Sequence, residues 1–433
     1  MTPQASFMVL ATVVPEREAE LRRLLDSMNV APGRVDKNNS LLPFAELDTL
    51  HFARLFILAD RTTDDVRVHG LPTREYPLYF AFLGDVDGDE SAFLEELVKR
   101  WADGLRKLFS CCEGFAENTD LLEWMNEHRS PPVANYVNTR GRTVRQVREE
   151  ALLREALEAH IAGNEASYEG RSARQTLDTL RKFAEAETSA GRLTLSKDAP
   201  TPLKWWIRNA LHLIGVPLLV LLALPLLIAI LPFYVVGLRR LEKADPEVTP
   251  TVDQKHSDDL SLLEDHDVSN QFSAMGSLKP GWVRHLTIMG VLRTVDYAAR
   301  HAVRPGRLGR IRTIHFARWV FVAGTERMMF CSNYDGSVDS YMDDFINKTG
   351  FGLNASFSNG IGYPMTNWLI KDGASDERKY KEYLRRHTMP TQVWYKAYPG
   401  LTAVDLERNT RIRRGLESSG MSDQKARDWV ALL

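Results

Sequence analysis

The second half of this chain repeats the first. His51-Phe52-Ala53-Arg54 recurs as His315-Phe316-Ala317-Arg318, and Asp87-Gly88 followed by Phe93 and Leu97 recurs as Asp335-Gly336 followed by Tyr341 and Phe345. A third block, His128, Pro131, Tyr136, Gly141, Thr143, Leu157 and Glu158, returns as His387, Pro390, Tyr395, Gly400, Thr402, Leu416 and Glu417, each 259 residues later. Three ordered blocks mark a duplication, so whatever fold the first copy adopts the second must adopt too.

Hydrophobic periodicity gives that fold its outline. In the first copy, residues 7–14, 51–59, 76–83 and 133–137 read as strands, and 16–28, 91–109 and 143–160 as helices. The order is βαββαβ, a ferredoxin-like unit. In the second copy, 283–292, 315–323, 327–333 and 392–397 read as strands, with helices at 295–303 and from 337. A sheet of this kind carries helices on one face only, so its other face needs a cover. The second copy supplies one. The expected fold is therefore α+β: two tandem ferredoxin-like repeats packed face to face, 1–160 and 281–433.

Between the repeats the sequence changes character. After a helical connection at 161–200, residues 213–236 run for 24 positions without a charge, broken by Gly215, Pro217, Pro225 and Pro232. Lys204 and Arg208 precede the run, Arg239 and Arg240 follow it, and Trp205 and Trp206 suit a membrane interface. One crossing would put the two matching copies on opposite sides of a bilayer and forbid them from covering each other. A bend at Pro225 leaves arms that reach roughly 17 Å each, near half of a hydrocarbon core about 30 Å thick. The expectation is a membrane hairpin over 201–242, attached to the cytoplasmic face, then an acidic linker at 243–280. A single span and a helix buried in the core or in a homo-oligomer interface are the alternatives.

Charge adds an exclusion. With 55 basic and 57 acidic side chains the formal net charge is -2, which gives no global reason to bind nucleic acid. The basic run at 300–312 reads as solvated surface, and His301, with Arg300 and Arg304, as a surface histidine. Three cysteines, two of them adjacent, offer no paired framework and point to a reducing compartment.

For chemistry, the pairing of the HFAR strand with the Asp-Gly turn stands out. Counting outward from a hairpin centre near Thr325 sets His315 across from Asp335, and the same count sets His51 across from Asp87. A carboxylate there orients an imidazole and raises its basicity. Strict alternation would point His315 and Arg318 to opposite faces of the sheet. A structural role, tying strands together, competes with a catalytic one for all of these residues. The second copy is richer in candidates: Trp319 where the first has Leu55, Asn333 beside Asp335, a glycine-rich stretch at 350–364 read as a loop, and His387 before the last strand.

Gly84-Asp85-Val86-Asp87-Gly88, set in a duplicated βαββαβ chain, resembles the dimeric α+β barrel superfamily, which includes dye-decolourising haem peroxidases. The stretch from Asn270-Gln271-Phe272 onward is similar to bacterial peroxidase-like proteins. The resemblance implies haem, a histidine ligand to its iron (His315 ahead of His387), a peroxide-handling carboxylate (Asp87 or Asp335) and charge stabilisation by Arg318. Trp319 and Asn333 would line the pocket. Ser332 departs from the motif, standing where its first glycine belongs. The functional expectation is a membrane-attached, peroxidase-like oxidoreductase for an apolar or lipidic substrate. A non-haem membrane enzyme, a lipid-binding protein and a membrane-located scaffold are the other readings.

Overall fold

The computed structural model describes residues 1–247, 250–303 and 306–433. The chain is mixed α+β, with two four-stranded antiparallel sheets and one long apolar helix. In chain order the main elements are β1 (Gln4–Thr12), α1 (Glu18–Asp26), β2 (Leu50–Leu58), β3 (Tyr79–Asp87), α2 (Glu90–Phe109), α3 (Leu121–Glu127), β4 (Ala134–Val137), α4 (Val144–Ala162), α5 (Ala173–Ser189) and α6 (Leu203–Ala244). The second half supplies β5 (Ser269–Ser277), α7 (Trp282–Tyr297), β6 (Ile314–Val322), β7 (Arg327–Asp335), α8 (Val338–Phe357), α9 (Glu377–His387), β8 (Val393–Lys396), α10 (Ala403–Glu417) and α11 (Asp423–Val430).

The sheets are not built one per half. Their strand orders are β1-β3-β2-β8 and β4-β6-β7-β5, so each half lends its last strand to the other half's sheet. The exchange is reciprocal to the residue: Tyr395 pairs with Ala53, and Tyr136 with Ala317. Every residue of β2 and β7 is buried, as expected of central strands covered on both faces. Helices α1, α2 and α3 cover the outside of the first sheet through Leu21, Leu25, Leu97, Leu105 and Trp124. Helices α7, α8 and α9 cover the second through Ile288, Leu292, Tyr341 and Leu384. Between the sheets lies a separate core that includes Met8, Phe56, Leu83, Val320, Met329 and Cys331.

The duplication extends to fine detail. Thr143 and Thr402 each close a reciprocal capping box at the start of α4 and α10. His128 and His387 each engage the carbonyl four residues back at 2.8 Å. Helices α2 and α8 both kink, at Trp101 and Thr349, positions separated by the spacing that separates Asp87 from Asp335. Gly88 and Gly336 hold φ of 89° and 88°, the left-handed turn that needs glycine.

Several expected elements differ. Residues 283–292 form helix α7, not a strand; the strand that opens the second sheet is β5, inside the stretch read as a linker. The strand reading rested on an apolar run too short to show its period. The glycine-rich stretch at 350–364 is not a loop at its start, because α8 runs through it to Phe357.

The expected hairpin is also corrected. Helix α6 is one uninterrupted helix of 42 residues that passes through Pro217, Pro225 and Pro232. A proline removes one backbone bond, and a helix survives that loss where another donor satisfies the freed carbonyl. Pro217 frees the carbonyl of Leu213, and Tyr297 donates its hydroxyl to that oxygen at 3.0 Å. Side chains along α6, among them Leu218, Leu222, Leu227 and Phe233, are exposed, so this is not a core helix.

Candidate functional site

The duplicated histidines, aspartates and arginines all converge on the seam between the sheets. Each HFAR strand carries a bulge at its histidine: the register slips between Leu50 and Phe52 and again between Ile314 and Phe316. A bulge inserts one residue and re-aims its side chain. Strict alternation therefore fails, and histidine and arginine of one strand both reach the opposite copy. The His51 ring lies 5.5 Å from Phe316, and the His315 ring 5.2 Å from Phe52.

His51 Nε2 lies 3.0 Å from Asp87 Oδ1, and His315 Nε2 lies 2.6 Å from Asp335 Oδ1. A carboxylate only accepts, so Nε2 carries the proton in both. That leaves Nδ1 of a neutral His51 to accept from the Tyr398 hydroxyl at 3.1 Å. The second oxygen of each aspartate accepts the first amide of a helix, Val144 of α4 at 2.9 Å and Ala403 of α10 at 2.7 Å. Each of those helices follows the strand its half has lent away. The His–Asp pairs thus pin the exchanged strands in place, and the helix N-terminus favours the negative charge.

At the centre, Arg54 donates to Phe272 O, Ser273 Oγ and Ser332 O, each at 2.8 Å, and to Asn333 Oδ1. Arg318 donates to Phe7 O at 2.8 Å, Gly84 O at 3.1 Å and Asp85 Oδ1. Asn333 donates to the other oxygen of Asp85 at 2.9 Å. Arg318 therefore holds the Asp85 carboxylate directly, and Arg54 reaches it only through Asn333. Burial, with the neighbouring Arg318 cation adding to it, pushes the Arg54 guanidinium down to about 10. The partner of Arg318 in the Gly84–Gly88 motif is Asp85, which sequence reasoning passed over in favour of Asp87. Gly84 is glycine because an added Cβ would sit 2.6 Å from the Phe7 ring. Ser332, its counterpart, instead bonds its hydroxyl to Tyr341.

This constellation does not fit haem. The ligating nitrogen of His315 is held by Asp335, and aromatic rings fill the seam around it. His387, fully buried, has Nδ1 engaged with Tyr383 O and Nε2 3.4 Å from Asp65, beside a void of only about 20 Å³. A ligand of porphyrin size needs a cavity of roughly 300 Å³ or more. Arg318 has both terminal nitrogens bound to the opposite sheet. Among the described residues, no three His, Cys, Asp or Glu side chains converge on a metal-holding position. Arg304, named beside His301, lies outside the described residues.

Room for a ligand exists elsewhere in the second half. A cleft of about 520 Å³ lies between α7 and α8, with Tyr234 of α6 on its wall. Leu286, Val291, Trp319, Phe351 and Phe357 contribute its apolar surface, and among the described residues no charged side chain lines it. Helix α6 is fastened beside it at three levels. His212 Nδ1 lies 2.8 Å from His301 Nε2, and Tyr234 shares a hydrogen bond of 2.5 Å with Thr287. Farther along, Glu242 accepts the amides of Trp368 and Leu369 at 3.2 and 2.6 Å. Those two residues hold left-handed φ of 57° and 63°, a strained turn that aims both amides at one carboxylate. Arg239 stacks 4.5 Å above the Trp368 ring. Of the candidates from sequence, Trp319 is the one in the cleft; Gly352 and Phe357 come from the stretch read as a loop. The signal that was missed is α7, whose small and apolar residues Gly290, Val291 and Val295 form the facing wall.

Compared with models of known protein families, with curated proteins and with solved structures, the chain matches none.

Proposed function

We propose that this is a monotopic membrane protein that takes an apolar, lipid-like ligand into the cleft beside α6. Its paired sheets then act as a pseudo-dimeric α+β barrel of two ferredoxin-like repeats, a rigid mount for helix and cleft. The observation that carries the reading is the uncharged cleft with Tyr234 of the exposed apolar helix on its wall. A ligand leaving the bilayer there would avoid full transfer through water, which costs about 0.8 kcal/mol per CH₂.

The points at which α6 is tied support attachment along the membrane rather than through it. From His212 to Glu242 the helix covers roughly 45 Å at 1.5 Å per residue, yet both ends contact the same folded body. A crossing would draw one end's ions into hydrocarbon: Asp245 with Lys279 and Arg284, or Asp296 with Arg300. Lying flat, α6 leaves those largely buried ion pairs in the folded body outside the hydrocarbon and gives lipid its exposed leucines. Three buried free thiols accord with a reducing compartment such as the cytoplasmic side.

The test is native mass spectrometry of the detergent-extracted protein, with extraction and identification of any bound lipid. Gly290 and Gly352 line the cleft, and an added Cβ at either meets nothing within 4 Å. Gly290→Phe should therefore fill the cleft and abolish lipid occupancy while leaving thermal stability intact. An empty wild-type protein that also fails to bind a fluorescent fatty-acyl probe would sink the proposal. Release from membranes by salt alone would sink the attachment.

A further inference from the structure

The apolar surface around α6 does not end with the helix. Leu286 of α7 and Phe351 of α8, on the cleft wall, are each more than half exposed. Leu369 lines the same cleft, and on either side of it Trp368 and Ile370 are 54% and 46% exposed. These three residues form the tip of a short hairpin in which Thr366 pairs with Asp372 and Asn367 with Lys371. An apolar patch that adjoins an exposed apolar helix marks an interaction surface, unlike apolar residues scattered singly.

The backbone of the tip shows that its side chains matter. Among the described residues, three of the four non-glycine residues with left-handed φ lie in this hairpin: Trp368 at 57°, Leu369 at 63° and Asp372 at 60°. Glycine or asparagine would relieve that strain, and a tip that only joined two strands would carry them. Instead, Glu242 of α6 accepts the amides of Trp368 and Leu369 and holds the turn in shape from the helix. Arg239 covers one face of the Trp368 ring, but it does not account for Ile370. Strained turns held by their surroundings cluster at binding sites.

Charge at this end of α6 points to the partner. Arg240 and Lys243 are exposed in the last turns of the helix, just after the exposed Phe233 and Val236. Lys371 is exposed at the foot of the hairpin, where Asp372 is the one acid. An indole and an aliphatic side chain beside several cations suit the boundary between headgroups and acyl chains of an anionic bilayer.

We infer that this hairpin is a second membrane-inserting element. Trp368 and Ile370 enter the headgroup–acyl boundary beside the C-terminal end of α6, and Arg240, Lys243 and Lys371 rest on anionic headgroups. The inference rests on α6 lying on a bilayer and adds where the folded body itself meets lipid.

The test uses the full-length protein on vesicles of phosphatidylcholine and phosphatidylglycerol, with an environment-sensitive fluorophore on one introduced thiol. Cys111, Cys112 and Cys331 are buried, so an exposed cysteine takes the label selectively. The label on Ile370→Cys should report an apolar setting and be quenched by nitroxide placed high on the lipid acyl chain. Leu222→Cys reports α6 in the same way, and Leu152→Cys, exposed on α4, gives the level for water. A dry label at 222 with a label at 370 as wet as that at 152 overturns the inference and leaves the attachment of α6 standing. A wet label at 222 brings down the membrane reading itself. A dry label at 370 that lipid nitroxide does not quench assigns the tip to a second copy of the chain, and also overturns the inference. Lys371→Gln should lower the inserted-to-free ratio of the tip about fivefold, the effect of one cation near an anionic surface. An unchanged ratio, or equal insertion into pure phosphatidylcholine, overturns the headgroup contact.

Discussion

Replacing Asp335 by asparagine tests whether the duplicated aspartates hold the fold together. The carboxylate of Asp335 accepts from His315 Nε2 at 2.6 Å, from the Ala403 amide at 2.7 Å and from Ser269 Oγ at 3.0 Å. Asparagine keeps one acceptor oxygen and presents an NH₂ on its other side. If the oxygen stays with Ala403, the NH₂ faces a histidine N–H unless the imidazole changes tautomer. If the oxygen turns to His315, the NH₂ faces the helix amide. One charge-assisted bond is lost, worth about 1.5–3 kcal/mol, and the N-terminus of α10 loses its compensating charge, worth about 0.3–1 kcal/mol more. The sum is about 3 kcal/mol, which for a chain of this size lowers Tm by about 3 °C. Asp87→Asn should cost the same, because Asp87 meets His51 at 3.0 Å and Val144 at 2.9 Å in the same arrangement. Scanning calorimetry on both variants, with His315→Phe and the double variant to measure coupling, is the assay. The reasoning fails if either aspartate can be replaced without a change in Tm. It fails equally if Asp335→Asn empties the cleft of ligand while leaving Tm untouched, which would return Asp335 to chemistry.

Arg318→Met should destabilise more than Arg54→Met. The first strips the buried Asp85 of its cation, at about 3–5 kcal/mol, whereas the second leaves the Arg318–Asp85 pair in place; equal losses in thermal melts would argue against that pairing. Stability should also fall with acid. Burial lowers the pKa of His387, against the opposing pull of Asp65, so the unfolded chain takes up a proton near pH 6.5 that the folded chain refuses. The stability it contributes is complete above about pH 6.5 and is lost as pH falls below it. Part of the slope between pH 7 and 5 should vanish in His387→Gln, although Arg386 and Asp60 also face this ring.

The HFAR and Asp-Gly blocks were legible in sequence because the two copies confirm each other. The His–Asp contacts emerged from counting residues in a hairpin, although a bulge in each copy means that the count reached the right pair through the wrong register. Strand exchange was not legible. Val133 to Val137 and Gln392 to Ala397 read as last strands whichever sheet they join, and nothing local distinguishes a strand kept from a strand lent. Helix α7 was missed because the apolar run at 283–292 is too short to show its period, and its apolar residues were taken for a strand. Pro225 misled for a different reason: the rule that proline breaks helices assumes that nothing answers the freed carbonyl, whereas α6 runs against a protein face where Tyr297 answers the one freed by Pro217.

The exchange of β4 and β8 sets an order of events during synthesis. The first sheet lacks its edge strand until Val393–Lys396 has left the ribosome, and neither half can close alone. Helix α6, at Leu203–Ala244, emerges well before that. On the proposed attachment, the chain is captured by the membrane while both sheets are still open, and the second half is made next to lipid. The unpaired strands β2 and β4 then wait beside the second half as it is made, where each meets its own later partner before it meets a neighbour's. A copy cut after α6 would have an anchor and no fold.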